Sequence, residues 1–127
     1  MERQILSSSD FWEGMAGQSR AVRIGNIIEV SATSAINEHG EMVGGKNIFQ
    51  QTFYIIQKIE KALEAEGAAL SDVIRTRVYV TDISNWEEVF KALHHFFAEI
   101  QPASCMIEVS ALIDKRMMVE IEATAIK

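Results

Sequence analysis

The sequence predicts an α+β domain in which two amphipathic helices cover one face of a largely antiparallel or mixed sheet. Three observations predict it. Two apolar stripes at three- and four-residue spacing mark helices, runs of alternating apolar and polar residues mark strands, and the segments follow the order hairpin, helix, strand, helix, hairpin. At 127 residues, 48% hydrophobic and 24% charged, the chain suits one domain spanning 1–127 with enough apolar material for a real core.

Residues 7–17 mix Phe11 and Trp12 with serines, glycines and acids, and read as an irregular lead-in whose aromatics dock elsewhere in the fold. Residues 21–24 and 27–32 then read as strands joined across a two-residue turn at Gly25-Asn26, with Val22, Ile24, Ile28 and Val30 expected on the buried face. Turn residues at 37–40 and 44–45 make a loop. Asn47 is a good N-cap with Gln50 three residues on, and Gly67 suits the position just past a helix end, so a helix is expected over 47–66. Phe49, Phe53, Ile56, Ile59 and Leu63 form its apolar stripe, leaving Gln57, Lys58, Lys61 and Glu64 solvated.

In 73–83, Ile74, Thr76, Val78 and Val80 alternate with Arg75, Arg77, Tyr79 and Thr81, as a strand with one apolar face would. Ser84 with Glu87 has the spacing of a capping box, and Trp86, Val89, Phe90, Leu93, Phe96, Phe97 and Ile100 give the helix that follows a wide apolar stripe. Pro102 ends it. The strand at 103–112 places Cys105, Ile107 and Val109 on one face and Ser104, Met106 and Glu108 on the other. After a short connection at 113–116, the last strand sets Val119, Ile121 and Ala123 against Met118, Glu120 and Glu122. The sheet face away from the helices is therefore expected to carry Glu29, Ser31, Arg75, Arg77, Tyr79, Ser104, Met106, Glu108, Glu120 and Glu122. Such a face can be solvated, as in many antiparallel sheets, or buried by a symmetric oligomer with ligand clefts between its subunits.

Composition excludes several classes of function. With a net charge of −6 and no basic run beyond Lys115-Arg116, nucleic acid is not an expected partner. No apolar segment is long enough to span a bilayer, and MERQILSSSDF lacks the apolar core of a signal peptide, so no membrane role and a cytoplasmic location are expected. The single Cys105 cannot make an internal disulfide or a multi-cysteine zinc site, and reads as a small buried hydrophobe. His39, His94 and His95 lack the i, i+4 spacing of a helical metal pair, and no metal site is expected.

Taken together, Ala21-Val22-Arg23-Ile24-Gly25-Asn26 with Val30-Ser31, Arg75-Thr76-Arg77-Val78-Tyr79-Val80-Thr81-Asp82, Phe96-Phe97 with Pro102-Ala103, and the closing Val119-Glu120-Ile121-Glu122-Ala123-Thr124-Ala125 resemble the Rid/YjgF family across nearly the whole chain. The resemblance implies a chorismate-mutase-like α+β sandwich and a homotrimer with its sheets around a central barrel. It further implies small-molecule clefts between subunits and cofactor-free hydrolysis of reactive enamines and imines to keto compounds and ammonia. It makes Glu120 the residue that directs the attacking water.

The family's substrate-clamping arginine falls at Ser104 and its usual cysteine at Met106, while Ser31 and Gln18 fall at further cleft positions. A serine can donate a hydrogen bond but supplies no charge, so a bidentate carboxylate clamp is lost. In this respect the chain is similar to a branch of the family without the arginine. Three readings follow: an imine or enamine hydrolase using Glu120 and water, a non-enzymatic metabolite-binding or regulatory trimer, and an endoribonuclease or translation inhibitor, which the acidic balance disfavours. For Glu120 the general-base role stands beside a structural one, an ion pair with Arg75, Arg77 or another subunit's arginine. For Glu122 the structural role is expected.

Overall fold

The computed structural model describes residues 1–8 and 11–127, the side chain of Phe11 excepted. Its strands are β1 (Arg3–Leu6), β2 (Ala21–Ile24), β3 (Ile27–Thr33), β4 (Val73–Val80), β5 (Ala103–Glu108) and β6 (Val119–Ile126), and its helices are α1 (Phe11–Ala16), α2 (Ile48–Ala65) and α3 (Trp86–Phe97). The strands form one sheet in the order β1-β2-β3-β6-β4-β5. Every pair is antiparallel except β4 and β5. One face is covered as expected: Ile55, Ile56, Ile59 and Leu63 of α2 and Val89 and Phe97 of α3 share a core with Ile28, Val30, Val78, Val80, Val119 and Ile121.

The closing segment is not a hairpin. Because α3 carries the chain back parallel to β4, β5 occupies β4's outer edge, and β6 must cross to β4's other side, between it and β3. That crossing makes β6 central, which is why Val119 and Ile121 are wholly buried. The long 109–118 connection that it needs contains a tight turn. There Arg116 Nε donates to Asp114 Oδ1 at 3.1 Å and its NH2 to Oδ2 at 2.8 Å, holding the Asp114 carboxyl down at about 2 through those bonds.

The first hairpin has the expected turn, and Ile28 and Val30 of β3 are buried as expected, but β2 has the opposite face assignment. A two-residue turn sets Ile24 opposite Ile27, so Ala21 faces Val30 and Arg23 faces Ile28, while Val22 and Ile24 join Glu29 and Ile27 on the open side. On the core side Arg23 is used as a tie: its guanidinium donates to Glu66 O at the end of α2 and, at 2.6 Å, to Lys127 O. In β4 the expected alternation holds for Thr76, Val78 and Val80, but an irregularity between Val73 and Arg75 turns Ile74 outward.

Asn47 caps α2 by accepting from Gln50 N at 3.0 Å, and Gly67, at φ 78°, follows the helix in the left-handed conformation that an L side chain resists. The buried stripe of α2 is rotated from the expected one. It runs through Ile48, Gln51, Thr52, Ile55, Ile56, Ile59, Ala62 and Leu63, with Phe49 and Phe53 at its margin. Gln51 is polar yet fully buried because backbone groups satisfy it. Its Nε2 donates to Gly45 O at 2.6 Å and Arg116 O at 3.1 Å, and its Oε1 accepts from Met118 N at 3.0 Å. Lys58, expected in solvent, instead donates to Ser34 O and Ile36 O at 2.8 Å each.

The expected capping box is absent. Ser84 lies in a 3₁₀ turn, Ile83–Asn85, and its N–H and hydroxyl both donate to Asp82 Oδ1, so that Asp82 caps this turn instead. Residues 7–17 are not wholly irregular either, since α1 is a short helix. Its Glu13 is buried and accepts from Ser8 N at 2.9 Å. Trp12 is half-buried, whereas the expectation for Phe11's ring lies outside the described residues. Neither α1 nor the four-residue β1 is long enough to show a period.

Candidate functional site

The two strand faces decide which side chains can meet. β4 pairs with β6 so that Tyr79 lies opposite Glu120 and Arg77 opposite Glu122, all four on the open face. On the other side of β4, the parallel register sets Thr76 beside Ser104 and Val78 beside Met106. Because Thr76 and Val78 face the helices, so do Ser104 and Met106: the Thr76 and Ser104 hydroxyls are 2.7 Å apart, and Met106 packs on the core. This corrects the expected face, which put Ser104, Met106 and Glu108 with Glu120. The error has the same origin as the presumed hairpin, since alternation within a strand is readable but the phase between two strands depends on how they pair. Cys105 is correspondingly exposed rather than buried.

Ser104 and Met106 line a cavity of about 600 Å³ between β5 and α3. Its apolar walls are Val78, Phe90, Leu93 and Phe97, and its polar groups include Thr76, Ser104, His94 and Gln101. Gln101 holds φ 55°, unusual for a residue with a side chain, where the chain leaves α3 and turns into β5. From sequence, Phe90, Leu93 and Phe97 of this wall read as part of the stripe that covers the sheet. The signal that could have separated them is the excess width of the stripe: Phe90 is 51% exposed and Trp86 46%, with their rings edge-on at 5.3 Å.

Glu120 lies on the other face and does not line that cavity. It is half-buried, and burial pushes its carboxyl above the ordinary value of 4.5; Arg20 opposes this, Glu122 adds to it and Lys58 opposes it. Glu122 has the structural contacts. It accepts from Tyr79 OH at 2.8 Å and lies 3.7 Å from Arg77 Nε, so the arginine pairs there and not with Glu120. The hydrogen bond to Glu122, then burial, raises the Tyr79 phenol.

Ser31 lies in the irregular stretch of β3 between Val30 and Thr33, which is held by Arg20, a residue that the sequence pattern does not single out. One guanidinium nitrogen of Arg20 donates to Ser31 O at 2.9 Å, Ala32 O at 2.8 Å and Thr33 Oγ1 at 3.2 Å, and the Ser31 hydroxyl donates to Ser19 O at 2.7 Å. Gln18 is exposed in the turn after α1, its N–H donating to Glu13 O at 2.9 Å, and it lines neither this cavity nor the larger one between α2 and the lead-in. Within one chain, Ser104 and Met106 thus share a cavity, while Glu120 and Ser31 lie away from it. Among the described residues no group of three or more His, Cys, Asp and Glu is arranged to hold a metal ion, and no helix is long and apolar enough to cross a membrane.

Comparison with known proteins places this architecture. The family model described as Endoribonuclease L-PSP matches residues 13–127. The chain belongs to this family. A RutC family protein of Pyrococcus abyssi is 33% identical over 128 residues, covering 100% of this chain and 99% of its own. The crystal structure of a YjgF/YER057c/UK114 family member from Mycobacterium tuberculosis superposes with a TM-score of 0.90 at 43% identity, covering 99% of this chain and 100% of that one. A more distant family relative, from Dermatophagoides farinae, is named 2-iminobutanoate/2-iminopropanoate deaminase and is 27% identical over 127 residues, covering 98% of this chain and 96% of its own.

Proposed function

We propose that the chain assembles as a homotrimer whose intersubunit clefts bind small molecules and hydrolyse reactive imines or enamines to keto compounds and ammonia, with Glu120 acting on the attacking water. The observation that carries this reading is Glu120 itself, a half-buried carboxylate whose proton affinity is raised by its surroundings, as suits a general base that must later return a proton. The deaminase name of the Dermatophagoides relative supports the reaction class. In the step proposed, an enamine first tautomerises to the imine; Glu120 then takes a proton from water as the oxygen bonds to the C=N carbon, and the nitrogen takes up a proton as the C=N π bond breaks, forming a carbinolamine. Transfer of the hydroxyl proton to the nitrogen and cleavage of the C–N bond then release ammonia and leave the C=O group. The required chemistry uses water and a carboxylate, with no cofactor.

Assembly is supported by what one chain leaves uncovered. β5 is an edge strand beside only β4, and Ile5 on β1 and Ile107 on β5, exposed by 58% and 47%, lie on the two edge strands of the sheet. A neighbouring copy is also what a site combining Glu120 with the Ser104 cavity would need, because one chain holds them on opposite sheet faces. That same separation favours a second reading, a trimer that binds metabolites without turning them over. RNA cleavage is disfavoured by the net charge of −6 and by Glu29, Glu120 and Glu122 on the open face.

The test is hydrolysis of freshly generated imines of two kinds, those that an amino-acid oxidase makes, which keep a carboxylate, and carboxylate-free ones that an amine oxidase makes, with sedimentation giving the mass of the assembly. Native protein should accelerate ammonia release from at least one kind of imine, and Glu120→Gln should lower the rate roughly 10²-fold or more. Ligand binding without acceleration would leave the second reading in place, and a monomer would remove the cleft.

A further inference from the structure

We propose that the cavity between β5 and α3 selects an uncharged ligand, an apolar ketone or its imine with one hydrogen-bonding group, over a ligand carrying a carboxylate. This rests on the cleft reading above and narrows its substrate class.

The argument begins with the lining. Among the described residues around this cavity of about 600 Å³ there is no Lys, Arg, Asp or Glu. Val78, Phe90, Leu93, Phe97 and Met106 supply apolar surface, and the volume is of the size that small-molecule sites occupy. A carboxylate that leaves water for the apolar wall gives up hydration without gaining a counter-charge from this chain, a loss that only a cation or several donors can offset, although at the exposed mouth around Ser104, Phe90 and His94 the loss is partial. A ketone or imine gives up far less.

The polar groups fit a neutral acceptor. Thr76 and Ser104 share one hydrogen bond of 2.7 Å between their hydroxyls. Thr76 is 1% exposed whereas Ser104 is exposed, so when the buried hydroxyl donates, the proton of Ser104 is left to point at a ligand. One O–H donor matches one carbonyl oxygen or imine nitrogen, while a carboxylate needs about two strong donors on each oxygen. His94, the imidazole on the wall, is itself solvent-exposed, so water attenuates whatever charge it carries. The aromatic rings of Phe90 and Phe97 suit a flat or branched apolar body.

Two probes differing only in the group at issue test this. Phenylacetone and phenylpyruvate share a phenyl ring and a ketone, but the first carries a methyl where the second carries a carboxylate. Titration calorimetry on the full chain in its native assembly at pH 8 should show phenylacetone binding about tenfold or more tightly. Amide shifts on its addition should centre on α3 and β5. Equal or tighter binding of phenylpyruvate, failure of both probes up to millimolar concentration, or shifts centred elsewhere would each overturn the proposal. Ser104→Arg, at an exposed edge position, should reverse the preference, and an unreversed preference counts against the proposal. If that variant does not fold, Phe90→Ala, at a half-exposed wall position, should weaken phenylacetone several-fold, and unchanged phenylacetone binding counts against the proposal. These are binding readouts. Absent imine hydrolysis with phenylacetone still preferred sinks only the catalytic reading, whereas Glu120-dependent hydrolysis with phenylpyruvate preferred sinks only this one.

Discussion

The hydroxyls of Thr76 and Ser104 meet at 2.7 Å across the parallel strands β4 and β5, and this contact places Ser104 under α3 instead of beside Glu120. Thr76 is fully buried, so its hydroxyl has no water to fall back on. Ser104→Ala is therefore expected to cost roughly 1–2 kcal/mol by stranding it, and Thr76→Val/Ser104→Ala to recover most of that loss. Denaturant midpoints of the two single variants and the double variant decide it. A double variant as unstable as the sum of the singles would show that the pair is not coupled.

Glu120 should make stability fall as pH rises. Its folded-state carboxyl titrates above the ordinary 4.5 because burial disfavours the charged form, so the folded chain binds this proton more tightly than the unfolded one. Ionisation then opposes folding from about the unfolded value upward, and the penalty is complete once pH exceeds the folded value. Glu120→Gln is expected to raise the melting temperature at pH 7 and to lose that advantage at pH 4. An equal gain at both pH values would refute the assignment. Imine hydrolysis by the native chain should increase with pH through the same window, since a base must be ionised to act.

Gln51 links the start of α2 to the loop before it and to the entry of β6. Replacing it with leucine keeps the volume but leaves the Gly45 and Arg116 carbonyls and the Met118 N–H without their partner. A loss of roughly 2–3 kcal/mol is expected, read as a shift in denaturant midpoint at unchanged slope. A neutral outcome would mean that water replaces the amide.

Arg23 ties the end of α2 to the last residue of the chain. Arg23→Gln should cost about 1–2 kcal/mol and speed amide exchange at Gly67 and Lys127, while β4 stays protected. Uniform acceleration across the sheet would point instead to a global loss of stability.

The periodicities and the capping residues determined from sequence alone that two helices back one side of a sheet, that Asn47 caps α2, and that Val119, Ile121 and Ala123 are core. The residue signature also indicated the family that the comparisons establish. Each of these is written locally, in spacing or in a run of neighbours. The phase of one strand against another is not. Whether Val22 or Ala21 faces the core depends on the residue paired across the Gly25-Asn26 turn, and whether Ser104 meets Thr76 or Glu120 depends on β5 running parallel to β4. Because a strand's side chains alternate, one residue of register moves an entire set between the core and open faces. Only the tertiary structure could therefore decide that the half-buried carboxylate and the uncharged cavity occupy opposite sides of the sheet.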